Sequence, residues 1–329
     1  MRAFVTGATG FIGAAVVREL LARNVDVVAL ARPNSDRSNL VGLDIEVQEG
    51  DLLEPQSYQS VLDRVDAVFH LGADYRLWVP DPARLYRTNV DGTVNVVQSA
   101  WRAGVTRIVY TSSVATLGLN ADRTASDEST PSSLNDMVGH YKRSKFLAEE
   151  SVRELARQGA PVVIVNPSTP LGPRDIKPTP TGRVILEAAR GRLPAFVDTG
   201  LNIVHVDDVA RGHWCAYERG VVGERYVLGG EDRTLRDILT AVAKHVGRKP
   251  PSVRLPHLSV LPVAYVAEAW ARLVRSAKEP LATVDGIQMA KHHMYFSSRR
   301  AVDELGYTHR ASTEAIQAAI DWFKLAAYC

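Results

Sequence analysis

The feature that most constrains the fold of this chain is a strand pattern at residues 2–6 that runs directly into a glycine-rich turn. Three glycines follow at intervals of three residues: Gly7, Gly10 and Gly13. A helical stripe through Ile12, Val16 and Leu20 comes next. Glycine permits positive φ and close backbone approach, and a helix N-terminus offers free N–H donors, so the turn is predicted to cradle a dinucleotide pyrophosphate. The alternative is that the glycines only punctuate a turn.

Strand and helix patterns keep alternating along the first half of the chain, which is typical of βαβ units in a parallel sheet. Strands are predicted at residues 2–6, 26–31, 44–48, 66–71, 106–112 and 161–166. We therefore predict a doubly wound α/β fold, a Rossmann domain over residues 1–166 followed by a smaller C-terminal lobe.

The texture changes after Pro167, where prolines at 170, 173, 178 and 180 exclude a central strand or a helix interior. Residues 167–329 are predicted to form mainly a substrate-binding lobe, with short segments near 200–230 returning to the Rossmann domain. Further elements are expected in this half: strands at about 203–206 and 225–229, and helices near 234–247 and 313–325.

Composition excludes several classes of protein. The 329 residues are 46% hydrophobic and 23% charged, as in globular proteins, and the net charge of +2 leaves no electrostatic footprint for nucleic acid. The two cysteines, Cys215 and Cys329, are too few for a disulfide scaffold. Neither a signal peptide nor an integral membrane segment is visible, so a cytoplasmic location is expected.

Two further features of the second half leave alternatives open. His292 and His293 are adjacent, with Glu279 and Asp285 nearby, but no third ligand has motif spacing, so no metal is expected. The stretch 260–274 is apolar apart from two charged residues, which fits either a core helix of the second lobe or a helix lying on a membrane surface.

Arg32 ends the second predicted strand, at the position that usually selects between dinucleotides. An acidic residue there accepts from the ribose 2′-OH, whereas a guanidinium pairs with a 2′-phosphate, so NADP is favoured and NAD is the alternative. Asp36 is close enough in sequence to approach the ribose, and Arg32 as a solvated surface residue remains the other interpretation.

Tyr141 and Lys145 stand four residues apart, which places them on one helix face. A phenol is a poor base at neutral pH, and a nearby ammonium is predicted to lower the pKa of the phenol. Ser112 and Ser113 end the fifth predicted strand, at the sheet edge where open α/β proteins bind ligands. Together they predict an acid/base site, although a tyrosine and lysine at this spacing alone are usually surface residues.

The order of these motifs resembles that of the extended short-chain dehydrogenase/reductases, the family of nucleotide-sugar epimerases and dihydroflavonol reductases. The resemblance is carried by seven segments over nearly the whole chain: 6–13, 50–52, 70–73, 89–93, 110–113, 141–145 and 205–210. It implies that Ser113 is the catalytic serine, Tyr141 the acid/base and Lys145 its ribose-binding partner.

The resemblance also implies cofactor contacts: Asp51 and Leu52 at the adenine, Ala73 in the cofactor trough, and Pro167 and Ser168 at the carboxamide. The predicted cofactor-binding set is Gly7, Thr9, Gly10, Phe11, Ile12, Gly13, Arg32, Asp51, Leu52, Leu71, Ala73, Asn89, Tyr141, Lys145, Pro167 and Ser168. The predicted substrate contacts are Asp74, Trp78 and Asn166, with loop packing as the alternative for the first two.

Residues 165–175 look closest to a subgroup of sugar epimerases associated with hopanoid biosynthesis. The resemblance therefore implies hydride transfer at a carbinol or ketone carbon of a small molecule, in an enzyme that could form a homodimer. Asn166, where sugar epimerases often have arginine, and Leu117, where many have tyrosine, speak against a nucleotide sugar. The alternatives are an NADPH-dependent ketone reductase of the dihydroflavonol reductase type and a non-catalytic dinucleotide-binding regulator.

Overall fold

The structure is a computed structural model that describes residues 1–79, 81–273 and 283–329. Val274 and Glu279, which entered the sequence predictions, lie outside the described residues. The strands are β1 (Arg2–Thr6), β2 (Asp26–Ala31), β3 (Glu46–Glu49), β4 (Ala67–His70), β5 (Arg107–Thr111), β6 (Val162–Pro167), β7 (Thr169–Leu171), β8 (Ala195–Val197), β9 (Gly200–His205), β10 (Arg225–Leu228), β11 (Glu231–Thr234), β12 (Val253–Leu255) and β13 (His293–Met294).

The α-helices alternate with the early strands and dominate the second half. They are α1 (Phe11–Ala22), α2 (Gln59–Leu62), α3 (Pro82–Tyr86), α4 (Gly92–Arg102), α5 (Gly139–Arg157), α6 (Pro180–Ala189), α7 (Val206–Arg219), α8 (Leu235–His245), α9 (His257–Leu273), α10 (Val284–Met289) and α11 (Ser312–Leu325).

Among the described residues, seven strands form a parallel sheet in the order β10-β6-β5-β4-β1-β2-β3. The chain reverses its direction across the sheet between β1 and β4, and open α/β folds bind ligands at such a switch point. The predicted doubly wound fold is therefore confirmed. Each of the six predicted strands lies within two residues of its observed bounds.

Both faces of this sheet are covered by helices, as the continuous apolar runs of its strands require. On one face α1 and α7 pack together, with Val16 and Leu20 in the same buried cluster as Val209. On the other face Val97 of α4 and Val152 of α5 close a second cluster. The sheet is buried between these two layers.

The second half of the chain contributes to two regions. β10 adds a strand to the large sheet beside β6, and α7 packs on α1. In the other region β9 pairs with β7, β11 and β13, and α6, α8 and α11 enclose a separate core around Ile185, Ile238 and Ile316. The domain boundary at residue 166 stays a prediction.

The strand predicted at about 203–206 is β9, which begins three residues earlier, at Gly200. β9 ends at His205 instead of continuing to 206, because the His205 ring accepts a hydrogen bond from the Asp207 N–H (3.1 Å) and caps α7, which opens at Val206. Among the described residues, no helix has the length and apolarity needed to cross a bilayer.

Candidate active site

The glycine turn joins β1 to the N-terminus of α1 and is held together by backbone contacts. Gly7 has a φ of +71°, and a Cβ there would lie 2.7 Å from the Gly72 nitrogen. A Cβ on Gly13 would lie 2.0 Å from the Gly7 carbonyl oxygen. Side chains at these two positions would therefore collide with the protein's own backbone. This is a structural reason for glycine, in addition to the predicted need for space around a pyrophosphate.

The same turn fits the diphosphate of a dinucleotide. Gly10 is the N-cap of α1 and has no side chain to occupy the helix N-terminus, and residues 11–14 carry no acidic group. The N–H groups of the first helical turn and the positive end of the helix dipole are thus open to an anion.

The other predicted residues of this loop mostly pack or position it. Phe11 and Ile12 contact the hydrophobic core beneath the sheet. The Thr9 carbonyl accepts a hydrogen bond from the Asn39 side chain (3.3 Å), which also donates to the carbonyl of Arg174 from the second half of the chain (3.2 Å). Asn39 therefore ties the glycine turn to the loop after β7.

Arg32 is exposed immediately after β2, as the sequence predicts. Asp36, the alternative ribose ligand, accepts hydrogen bonds from the Ser38 backbone N–H (3.0 Å) and hydroxyl (2.7 Å), and these bonds lower the pKa of its carboxyl. The carboxylate that competes with Arg32 for the ribose is thus already engaged within its own turn.

The adenine and trough residues follow β3 and β4. Asp51 accepts from the Leu53 backbone N–H (3.0 Å). Leu52 packs so tightly on Gly72 that a Cβ there would lie 2.9 Å from its Cδ1 atom. Leu71 and Ala73 are half-buried on either side of that glycine. This arrangement narrows the crevice beyond the carboxyl end of β4.

The side chain of Asn89 is fully buried beside the segment that follows β4. Its oxygen accepts from the Asp74 backbone N–H (2.7 Å), and its nitrogen donates to the Asp74 carbonyl (2.9 Å) and the Ser144 hydroxyl (2.9 Å). The amide thus fixes the segment after β4 against α5. We infer that Asn89 acts on the cofactor crevice by positioning its wall.

Ser113 and Tyr141 meet at the carboxyl edge of the sheet. Ser113 follows β5 and caps a short 3₁₀ turn, its oxygen accepting from the Ala115 N–H (3.1 Å). Burial raises the pKa of the Tyr141 phenol, and a hydrogen bond with Ser113 opposes part of that rise. Tyr141 therefore holds its proton at neutral pH and is suited to act as an acid.

Lys145 follows Tyr141 by about one turn of α5 and is only 2% exposed. Its Nζ atom donates to the Tyr110 hydroxyl (3.1 Å) and to the Thr111 carbonyl (2.9 Å), both at the end of β5. Burial lowers the pKa of Lys145 to about 8, against the opposing charge of Glu149. The predicted lowering of the Tyr141 pKa by Lys145 is wrong for this structure, because the ammonium is bound by Tyr110 and Thr111 and burial dominates the phenol.

Asn166 is also buried and touches the protein rather than the cavity. Its nitrogen donates to the Ser113 carbonyl (3.0 Å), the Thr116 hydroxyl (3.2 Å) and the Glu149 carboxylate (2.8 Å). Glu149 is paired in turn with Arg225 of β10 (3.0 Å). This polar network fixes the backbone of Ser113, and the substrate contact of Asn166 stays a prediction.

Pro167 ends β6, and Ser168 follows it at the mouth of the site. The Ser168 N–H donates to the Leu228 carbonyl (3.2 Å), while its buried hydroxyl has no hydrogen-bond partner among the described residues. An unpartnered hydroxyl beside Tyr141 fits the carboxamide contact that the family resemblance implies.

A cavity of about 130 Å³ opens beside these hydroxyls. Its polar lining comes from Ser113, Tyr141, Lys142, Ser168 and Thr169. The rest is apolar and comes from separate parts of the chain: Leu77, Val114, Ala115, Leu117, Leu119, Met289, Met294 and Phe296. In the segment after β4, the residue that lines the cavity is Leu77. Trp78 is buried, and Asp74 pairs with Arg76 (2.9 Å).

Sequence matches agree with this geometry. Residues 3–229 match the family model described as the NAD dependent epimerase/dehydratase family. The chain belongs to this family. It is an extended short-chain dehydrogenase/reductase, and the resemblance stated above is confirmed.

Two relatives and one solved structure cover nearly the whole chain. "Putative dihydroflavonol 4-reductase" from Synechocystis sp. is 43% identical over 326 residues, 98% of this chain and 94% of the relative. "Sterol demethylase protein B" from Methylococcus capsulatus is 34% identical over 324 residues, 98% of both chains. The crystal structure of gox2253 is 50% identical, with a TM-score of 0.89 over 99% of this chain and 98% of that one.

Membership of this family identifies the protein as an enzyme of the NAD-dependent epimerase, dehydratase and reductase group, acting on a small molecule. Tyr110 and Glu149 were not among the predicted site residues. Tyr110 could have been singled out by its place at the end of β5, shortly before the predicted catalytic Ser113. Glu149 follows Lys145 by four residues on α5, so it shares the helix face of the predicted acid/base pair.

Proposed function

We propose that this enzyme is an NADPH-dependent reductase of an apolar ketone. The observation that carries the proposal is the apolar lining of the cavity, in which Leu117, Met294 and Phe296 surround the catalytic hydroxyls. A nucleotide sugar would bring a diphosphate and several hydroxyls, and burying these groups requires charged and hydrogen-bonding partners. Lys142 is the one charged residue of the described lining, and burial lowers its pKa to about 8.

The proposed chemistry divides between cofactor and protein. A nicotinamide dinucleotide, when bound, supplies a hydride to the carbonyl carbon. Tyr141 donates its phenolic proton to the carbonyl oxygen, so that one hydride and one proton convert the ketone into an alcohol. Ser113 hydrogen-bonds that oxygen and aligns it with the phenol. Because burial favours the neutral phenol, Tyr141 is suited to the reductive direction.

The positive charge of Lys145 supports the same step. Below about pH 8 Lys145 carries an ammonium, which would hold the ribose of the bound cofactor as the family resemblance implies. The network of Asn166 and Glu149 keeps Ser113 in place during the step. Each of these residues therefore binds or orients a group that takes part in the step.

The proposal includes a preference for NADP over NAD. Arg32 is exposed after β2 and would pair with the 2′-phosphate, a charge-assisted contact worth a ~10- to 150-fold preference. Arg32→Ala should reduce that preference strongly. Arg37→Ala is the matched control, since Arg37 is paired with Glu49. Cofactor titration by calorimetry checks this, and equal affinity of the unmodified protein for both cofactors would contradict it.

The substrate class can be narrowed further. A relative 34% identical to this chain carries the name of a sterol enzyme, which supports a bulky apolar substrate. The link to hopanoid biosynthesis stays a prediction, as do the homodimer and the cytoplasmic location.

The decisive experiment offers the purified enzyme NADPH with ketones of increasing apolar size, and separately offers nucleotide sugars with oxidised cofactor. We expect NADPH oxidation with the apolar ketones and no interconversion of nucleotide sugars. Epimerisation of a nucleotide sugar would overturn the reductase in favour of the epimerase. Cofactor binding without turnover of either class would favour a regulatory protein.

A further inference from the structure

Helix α9 and the strand before it carry a large exposed apolar surface. Of the fifteen large hydrophobic residues that are exposed among the described ones, eight fall between Val253 and Leu273: Val253, Leu255, Leu258, Val263, Tyr265, Val266, Trp270 and Leu273. Leu258 is 77% exposed and Trp270 is 64% exposed. A contiguous group of this kind marks an interaction surface, whereas scattered single residues would not.

The exposed residues of α9 form one stripe along the helix. Leu258, Pro262, Val266 and Trp270 follow each other at intervals of four, and Tyr265 and Leu273 extend the same side. On the opposite side Ala264 is fully buried and Glu268 is 8% exposed. The one acidic group in this part of α9 is therefore turned toward the protein.

Two hydrogen bonds fix α9 against the segment that forms the cavity wall. The His257 ring donates to the Ala290 carbonyl (2.9 Å), and the Glu268 carboxylate accepts from the Val284 N–H (2.7 Å). Between these anchors lies α10, whose last residue, Met289, lines the cavity beside Tyr141. The exposed stripe is thus attached directly behind the wall of the active site.

We propose that α9 is a membrane-docking surface that lies on an anionic lipid bilayer. The charges exposed just before the helix are basic, Arg248, Lys249 and Arg254, although Arg254 also pairs with Asp198 (2.8 Å). An amphipathic helix with basic neighbours binds bilayers through apolar burial together with attraction to anionic headgroups. Tyr265 and Trp270 suit this surface, because amphipathic rings favour the boundary between lipid and water.

A second copy of the chain fits the same surface less well. The 17 residues of α9 span ~26 Å, and with a helix width of ~10 Å one face covers on the order of 250 Å². A standard protein interface buries ~800 Å² on each partner. The stripe is therefore small for a stable dimer, whereas a bilayer has no such minimum. The docking surface does not depend on the reaction proposed above.

The test is flotation of the full-length enzyme with vesicles of phosphatidylcholine alone or with added phosphatidylglycerol. We expect flotation that increases with phosphatidylglycerol and decreases with salt. Val266→Glu with Trp270→Glu should weaken vesicle binding at least ~10-fold. Lys249→Glu should weaken binding only to anionic vesicles, by roughly fivefold. Leu325→Glu, at an exposed apolar position on α11, is the matched control and should float like the parent.

The variants must keep their fold and their reaction for the test to count. Thermal unfolding and cofactor affinity should match the parent in all of them, since the substituted side chains are exposed. Failure of the parent to float with anionic vesicles would overturn the docking surface, and so would undiminished flotation of the α9 double variant. A parent dimer that the double variant dissociates, without vesicle binding, would replace the bilayer by a second copy. None of these outcomes depends on turnover, so failure of the proposed reaction is recognised separately.

Discussion

The two walls of the active site are built by different means. The proposed cofactor wall combines the ends of parallel strands with the helices packed on them, and Gly7, Asn89 and Lys145 are held there by backbone geometry or by several hydrogen bonds each. The proposed substrate wall is assembled from segments far apart in the chain and includes Leu77, Leu117 and Met294, which share little beyond their apolar character.

This difference separates two kinds of constraint. A dinucleotide demands a fixed backbone and a few polar groups, so the cofactor wall tolerates few substitutions without a collision or an unpaired polar group. An apolar substrate demands shape and the exclusion of water, which many side chains can provide. Changes to the cofactor wall should therefore affect every substrate, whereas changes to the substrate wall should depend on the substrate used.

The largest effect is expected at Tyr141. Tyr141→Phe keeps the ring and removes the proton that reaches the substrate oxygen, so turnover should fall by ~10²- to 10⁴-fold for every ketone while cofactor affinity is kept. Steady-state turnover beside a cofactor titration measures both. Tyr86→Phe, whose hydroxyl contacts His140 (3.3 Å) at the same end of α5, is the control and should retain turnover. Normal turnover of Tyr141→Phe would remove the basis for the proton donor.

The next effect is a loss of stability in acid caused by a histidine buried under the sheet. His213 bonds to the Thr111 hydroxyl (2.8 Å) and the Val209 carbonyl (2.8 Å), and burial lowers its pKa to about 4. Between pH 6.5 and pH 4 the unfolded chain binds this proton and the folded chain does not. The free energy of unfolding should therefore fall as the pH falls, by about 3 kcal/mol from this group.

Urea unfolding at a series of pH values measures this slope. His213→Gln should be less stable at neutral pH but should lose less stability on acidification. The pH dependence of stability that remains in His213→Gln includes a contribution from His70, because burial lowers the pKa of His70 to about 3. His309→Gln, at an exposed position, is the control for the parent slope. A His213→Gln protein with the full parent slope would contradict the assignment.

The contrast between the walls also explains how far the sequence could be interpreted. The glycine turn and the parallel strands were predicted correctly because each places a demand on the backbone that few residues meet. Asn89 and Asn166 were predicted to contact ligands in the context of the family resemblance. Both are buried with protein partners, a feature that depends on side-chain packing and leaves no pattern in the sequence.

Other parts of the site left no pattern to follow. Leu77, Met289 and Phe296 converge through tertiary folding, and apolar residues at such positions look like ordinary core residues in a sequence. The sequence also did not show which residues bind the Lys145 ammonium. Helical spacing places Tyr141 on the same face, but the orientation of the long lysine side chain brings its ammonium to Tyr110 instead.

A moderate effect that discriminates between substrates is expected at Met294. Met294→Gln keeps the length of the side chain but places an amide in the apolar wall. For a bulky ketone kcat/KM should fall by ~5- to 30-fold, since a lost apolar contact in a pocket is worth ~1–2 kcal/mol. A small ketone that does not reach this wall should react at the parent rate. An equal loss with both substrates would contradict the separation of the two walls.

The smallest effect at neutral pH, and a specific one in alkali, is expected when the Tyr110 hydroxyl is removed. This hydroxyl accepts from the Lys145 ammonium (3.1 Å) and so favours the charged form, and Tyr110→Phe keeps the ring against which the ammonium also lies (4.8 Å). The pKa of Lys145, which burial holds at about 8, should then fall further.

If reduction needs the ammonium, turnover of the parent declines above about pH 8, and the decline in the variant begins at lower pH. At a fixed alkaline pH the variant should be slower by up to ~10-fold, the change that one pH unit gives for a single proton. Tyr58→Phe, in the same core but away from Lys145, should keep the parent profile. Identical alkaline limbs for Tyr110→Phe and the parent would show that the Tyr110 hydroxyl does not set the charge of Lys145.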